Sequence, residues 1–290
     1  MVSLGFLQYI LLLAVAYSGA ALGLPMFMRF LREAGPRRTN YAGQEIPLGA
    51  GLYFVILLPP LLALAILAGV PAMPARLCLV FAFAAVGFGL AGFIDDALGS
   101  AHDKGFRGHF KALLKEGRLT SGALKALFGG AVALLTCLQL AAVYPKVFGS
   151  WYQILLNTML LASAANLINL FDLRPGRAGK VFLLGLALSA AFAVKIDLYG
   201  GPVLLAALIF IPVFRQDLRA RLMLGDTGAN YLGAVLGMAM VFWLTWHAKA
   251  VAVVLFLALQ LASERFSFTA LIERVSLLRI LDRWGRRSER

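Results

Sequence analysis

Asp95 and Asp96 stand side by side where a long apolar block of the chain ends. Two close carboxylates are a normal way to hold Mg²⁺ against a phosphate, because that small cation takes oxygen ligands. Otherwise they are two solvated residues at a boundary. The carboxyl end of a helix carries partial negative charge, so acids placed there lose stability unless a cation compensates. The next basic residue in sequence is Lys104, which leaves the compensation to a distant lysine or to a bound metal. Asn166, Asn169 and Asp172 recur at every third position, a polar staircase if helix persists. Amides near lipid depth are costly unless paired, and helix–helix hydrogen bonding is the plainer role for them. The run Asp172-Leu-Arg-Pro-Gly-Arg177 then breaks the helix and supplies Arg174 and Arg177, whose planar forks suit a phosphate. Leu224-Gly-Asp-Thr-Gly-Ala-Asn230 opens another apolar block. There Asp226 or Thr227 could cap the helix, or Asp226 could hold a metal that bridges to a phosphate at the helix start. His102 and His109 match no metal spacing and read as solvated. Gly87-Phe-Gly89-Leu-Ala-Gly92 has dinucleotide-binding spacing, but it lies inside an apolar block instead of at a strand-to-helix turn, so it is expected to serve helix packing.

The elements that must position these groups follow from composition. The 290 residues are 61% hydrophobic and 14% charged, whereas a soluble domain runs about 45–50% apolar and about 25% charged. The apolar residues fall in blocks suited to bilayer crossings of about 20 residues. The predicted fold is all-α: a polytopic membrane bundle with about nine spans. These are Leu4–Met28, Leu48–Gly69, Ala75–Phe93, Ser121–Val143, Trp151–Ile168, Val181–Tyr199, Pro202–Phe214, Tyr231–Trp246 and Val251–Ala262. The first block lacks a basic leader and is too long for a signal-peptide core, so it is kept as a span. Cys78 and Cys137 lie inside apolar blocks and read as buried small residues. Residues 1–262 form the transmembrane domain. Residues 263–290 form an amphipathic helix and basic tail, either flat in the membrane interface or packed on the protein's own loops.

The net charge of +13 is explained by topology and needs no nucleic acid. Grouping loops alternately puts 23 of the 27 basic residues on one face, which places the N-terminus outside and the C-terminus in the cytoplasm. Thirteen of the 14 acids share that face, leaving the span centres without the buried acid expected of a midplane transport site. Asp95/Asp96, Asn169/Asp172 and Asp226 thus end three different spans on one basic face, suited to a metal-bound phosphorylated substrate meeting a lipid phosphate.

These residues resemble the polyprenyl-phosphate N-acetylhexosamine-1-phosphate transferases. Gly92-Phe-Ile-Asp95-Asp96 is similar to that family's paired-Asp motif, Asn166-Leu-Ile-Asn169-Leu-Phe-Asp172 to its Asn-x-x-Asn-Leu-x-Asp run, and Gly225-Asp226-Thr-Gly228-Ala229 to its Gly-Asp-x-Gly-Ser. Arg37-Arg38-Thr-Asn40-Tyr and Ile46-Pro47-Leu-Gly-Ala-Gly51 look like its first cytoplasmic loop. The resemblance implies transfer of a HexNAc-1-phosphate from a UDP-sugar to undecaprenyl phosphate, releasing UMP, with Mg²⁺ (or Mn²⁺), on the cytoplasmic face of a bacterial plasma membrane. Asp226, with Asp95 and Asp96, would be the metal and catalytic set. Asn166, Asn169, Asp172, Arg174, Arg177, Lys125 and Lys111 would bind substrate, and a homodimer is a further expectation. Three departures stand out. Pro175 falls where the family continues Asp-Gly-x-Asp-Gly, the late histidine-rich loop is replaced by Glu264-Arg-Phe-Ser-Phe, and a tenth span by the amphipathic tail. The first two motivate an alternative: a protein of this fold that binds polyprenyl phosphate or nucleotide as sensor, scaffold or partner without transferring.

Overall fold

The computed structural model describes residues 4–40, 43–98, 117, 119–193 and 200–286. In chain order these form α1 (Leu4–Ala34), β1 (Arg37–Thr39), β2 (Glu45–Pro47), α2 (Leu52–Leu67), α3 (Ala75–Leu98), α4 (Ser121–Val143), α5 (Pro145–Phe148), α6 (Trp151–Phe171), α7 (Arg177–Ala191), α8 (Gly200–Leu218), α9 (Gly225–Trp243), α10 (Trp246–Ser263), α11 (Phe268–Arg274) and α12 (Ser276–Arg283). Among the described residues, six helices are long and apolar enough to cross a membrane: α1, α3, α4, α6, α8 and α10. The chain is an all-α, multi-pass membrane bundle. Each of the nine apolar blocks holds a helix, but α2 is a shorter apolar helix of 16 residues, and α7 and α9 are not among the six. The sixth block's last residues, 194–199, lie outside the described residues, and α8 begins at Gly200, two residues before the seventh block.

Local chemistry sets the helix starts. Thr120 Oγ1 accepts from Ala123 N–H at 3.2 Å to begin α4, and Thr245 Oγ1 accepts from Ala248 N–H at 3.3 Å to begin α10, each satisfying an otherwise orphaned amide. The second cap carries the last long helix five residues ahead of its expected start and takes in Lys249. Hydropathy alone would leave that lysine outside, yet it is buried with its ammonium 5.6 Å from the Phe148 ring centre.

The core is organised around α9, which is buried on almost every side and packs against α2, α3, α6, α7 and α8. Such enclosure needs small residues at the crossings. A Cβ at Gly233 would collide with the Ala165 backbone, and one at Gly92 with the Asp226 and Thr227 backbone. Gly87 and Gly89 likewise abut Val132 and Val55, so the Gly-x-Gly-x-x-Gly run is a packing surface, as its position in a span predicts. A short antiparallel hairpin, not foreseen in the sequence, pairs Arg37–Thr39 with Glu45–Pro47. From its end the backbone reaches the segment before α9: Ala50 and Gly51 N–H donate to Met223 and Leu224 carbonyls.

The tail differs from the single helix expected. It breaks at Val275, in extended conformation, into α11 and α12, and Asp282 and Arg286 hold it to the protein's own loop through the Arg177 fork and the Pro175 carbonyl. Asp282 is buried there, while Leu277, Ile280 and Trp284 stay exposed.

Candidate active site

Four helix ends converge on one face: the C-termini of α3 and α6 and the N-termini of α4 and α9. Asp95 and Asp96, adjacent on α3, face different partners. Asp96 caps α9: its Oδ1 accepts from Asp226 N–H at 3.0 Å, and its Oδ2 from Thr227 N–H at 2.9 Å and Thr227 Oγ1–H at 2.7 Å. No side chain of α9's own N-cap does this, and the positive end of the helix dipole offsets the carboxylate's unfavourable place at the end of α3. Gly225 makes the approach feasible. It holds φ +70°, a region costly to residues with a Cβ, and a Cβ there would meet the Asp96 carboxylate. Asp96 was expected at the metal, but both its oxygens are engaged by α9.

Asp95 instead shares Lys125 with Asp226. The Lys125 ammonium lies 2.5 Å from Asp226 Oδ2 and 3.6 Å from Asp95 Oδ2. Asn169 completes the group, its amide orientation assigned by the neighbours: Nδ2 donates to Asp226 Oδ1 at 3.0 Å and Oδ1 accepts from Lys125 at 3.0 Å. Capping and metal holding were the two roles open to Asp226, and its carboxylate faces Lys125 and Asn169 while Asp96 does the capping. Asp172, just past α6, is within electrostatic reach of this cluster. Burial pushes its carboxyl well above the ordinary carboxylate range, and the charges of Asp217, Asp226 and Asp96 push it further, against Lys125.

The cluster opens on a cavity of about 700 Å³ between α3, α4, α6, α9 and α10. Asp95, Lys125, Asn166 and Asn169 are at its polar part, and Phe88, Met159 and Leu257 make apolar wall. Small residues on α4 create the space; a Cβ at Gly130 would meet nothing within 4 Å. Asn230, buried on α9, and Glu264, in the segment that replaces the histidine loop, also line the cavity. Neither is among the residues expected from sequence. Asn230 could have been flagged as an amide five residues into a buried helix; Glu264 had no signal beyond its place in the chain.

The two loop arginines do not join the cluster. Arg177 is buried and gives its fork to Asp282, Nε to Oδ1 at 2.8 Å and Nη2 to Oδ2 at 3.0 Å, and its Nη1 to Thr269 at 2.9 Å. Arg174 lies 3.9 Å from Glu273 Oε1. The planar donor pair that suits a phosphate suits a carboxylate equally, and the tail supplies the carboxylates. Asp217, unremarked in the sequence, is buried at the end of α8 and accepts from Gly176 N–H at 3.0 Å, fixing the loop that carries both arginines. Lys111, His102 and His109 lie outside the described residues.

As a test of fit for Mg²⁺, among the described residues no three Asp, Glu, His or Cys side chains gather as a metal site. Asp95, Asp226 and the Asn169 amide are all oxygen donors around one point, now held by the Lys125 ammonium. Mg²⁺ is usually held by one or two carboxylates with substrate phosphates supplying the rest, so Asp95 and Asp226 fit it by chemistry.

Fold and site define a multi-pass helical membrane protein with a carboxylate–lysine–amide cluster at the mouth of an apolar-walled cavity. No protein-family model matches the chain. The chain is similar to the phospho-N-acetylmuramoyl-pentapeptide-transferase of Thermotoga neapolitana, at 28% identity over 217 residues. That match takes in 73% of this chain and 65% of the relative, less than two thirds of the relative's length.

Proposed function

We propose that this protein, a bundle of about nine spans, is a membrane phosphoglycosyl transferase moving a sugar-1-phosphate, of HexNAc type, from a UDP-sugar to undecaprenyl phosphate at the cytoplasmic face of a bacterial membrane, with release of UMP. The likeness to a phospho-N-acetylmuramoyl-pentapeptide-transferase supports the class of reaction. The observation that carries the reading is the cavity itself: an apolar wall leading to a polar end that bears the Lys125 ammonium suits a lipid with a phosphate head. In this reading Lys125 turns from its carboxylates toward a phosphate oxygen, and Asn166 and Asn169 orient the donor by hydrogen bonds. Asp95 and Asp226 would hold Mg²⁺, which when bound neutralises the diphosphate and stabilises charge on the leaving UMP. The acceptor phosphate needs no strong base, since a phosphate monoester with a second pKa of about 6 is largely ionised near neutrality. Asp96 positions Asp226 through the first turn of α9.

A second reading, a protein that binds polyprenyl phosphate or nucleotide without transferring, is favoured by one observation: Lys125 fills the cation position between Asp95 and Asp226. One assay separates the two. Purified protein is incubated with Mg²⁺, undecaprenyl phosphate and a panel of UDP-sugars, and UMP is measured. UMP formed from at least one sugar, and lost in Asp226→Asn, is the expected result; lipid binding without UMP from any sugar selects the second reading.

A further inference from the structure

A second cavity, of about 470 Å³, opens between α1 and α8, and no part of the transfer reading uses it. Its chemistry is one-sided. Arg29 and Arg32 reach it from the last turns of α1, Arg215 from the last turn of α8, and Arg221 from the segment leading to α9. Its apolar wall is made by Leu24, Met28 and Pro212, all buried. No acid lines it, and none of the four arginines forms an ion pair among the described residues. Arg215 Nη1 donates to the Tyr17 hydroxyl at 3.2 Å across the cleft, and Arg221 Nη1 to Gln216 Oε1 at 3.3 Å, so two of the four are held by neutral partners instead of carboxylates.

The positive-inside bias accounts for arginines at these helix ends but is satisfied by any scatter of them over the face. It does not account for four converging on one cleft, where like charges repel unless an anion separates them. Nor does it account for an apolar wall that continues into the span of α1. Guanidinium groups above an apolar groove between two membrane helices recognise a phosphate that carries acyl chains. We propose that the α1–α8 cleft is a binding site for the phosphate head group of an anionic membrane phospholipid. This rests on the membrane placement of α1 and α8 and not on the transfer reaction.

The test uses the full-length protein, purified in detergent and stripped of lipid, then titrated with phosphatidylglycerol, phosphatidylcholine or inorganic phosphate while bound lipid is counted by native mass spectrometry. Phosphatidylglycerol should bind and phosphatidylcholine should not. Arg29→Gln/Arg215→Gln should weaken phosphatidylglycerol about tenfold or more, as expected when two arginines near a lipid head group are lost. Ala21→Phe, which fills the cleft and keeps all four arginines, should weaken it comparably. Arg219→Gln removes an exposed charge from the same end of α8 outside the cleft, and should leave binding intact. Equal phosphatidylglycerol affinity in the wild type and both cleft variants would overturn the proposal, as would equal affinity for phosphatidylcholine. Displacement of phosphatidylglycerol by equimolar inorganic phosphate would also overturn it, assigning the cleft to a free anion. None of these readouts involves turnover, so they stand apart from the UMP assay.

Discussion

Two adjacent aspartates on α3 illustrate how one residue step decides a role. Consecutive residues on a helix point about 100° apart, so Asp96 meets the first turn of α9 while Asp95 meets Lys125 and the cavity. Stability and activity should therefore separate. Asp96→Ala removes three hydrogen bonds to a helix start and should cost about 1–3 kcal/mol, the range for a lost cap or a hydrogen bond to a charged group, measured by thermal unfolding in detergent. Asp226→Asn leaves that cap in place and should cost less stability than Asp96→Ala, since Lys125 keeps Asp95 and Asn169, while UMP release falls steeply. Equal destabilisation by both would remove the distinction. That Asp95 and Asp96, Asp172 and Asp226 lie at the ends of three helices on one face was legible in the sequence, because their spacing from the apolar blocks is explicit. Which of the pair caps was not. It depends on the rotation of α3 against α9, set by contacts at Gly92 that no local pattern encodes.

At the scale of elements, the tail is the clearest departure from what periodicity predicts. Its apolar residues recur at helical spacing, which made a single helix legible. The break at Val275 comes from long-range partners: Phe268 stacks on Phe171, and Arg177 and Arg286 both hold Asp282. Lys180 adds bonds to the Leu281 and Asp282 carbonyls. Burial acts to raise the Asp282 pKa, but the Arg177 hydrogen bonds and the Arg177, Arg286 and Lys180 charges outweigh it and hold the carboxyl below its ordinary value. A carboxyl lowered in the docked state contributes stability that is complete above its undocked pKa of about 4 and is lost as pH falls through the lower docked value. Amide exchange protection of α12 should therefore be flat, after correction for intrinsic rates, from about pH 7 to 5 and decline below about 4. Arg177→Lys keeps the charge but cannot make the fork, and should cost docking about 1–3 kcal/mol, with UDP-sugar affinity unchanged. A loss of donor affinity instead would return Arg177 to the substrate.

For the whole molecule, the bilayer makes the bundle legible and hides the cavity. Spans announce themselves because lipid demands long apolar helices, whereas the cavity is made by what is missing: Gly122, Ala126, Gly129 and Gly130 on one helix, opposite Ala162 and Ala165 on another. Gly130→Leu should leave the fold intact, since it faces open space, and raise the KM for undecaprenyl phosphate without altering donor affinity. An unchanged acceptor KM would place the lipid elsewhere. Orientation comes from the charge asymmetry, 23 basic residues against four, and the whole site depends on it, because the cluster, the docked tail and the arginine cleft all lie at one end of the bundle. Lys146, exposed in the short α5 at the other end, is the discriminating position. A reporter fused after Arg290 should be cytoplasmic, and Lys146→Cys should be modified in intact cells by a membrane-impermeant thiol reagent. The native thiols do not compete, since Cys78 and Cys137 are both buried. Protection of Lys146→Cys in intact cells with labelling after lysis would invert the bundle, turn the cluster away from cytoplasmic UDP-sugars and remove the transferase reading at its root.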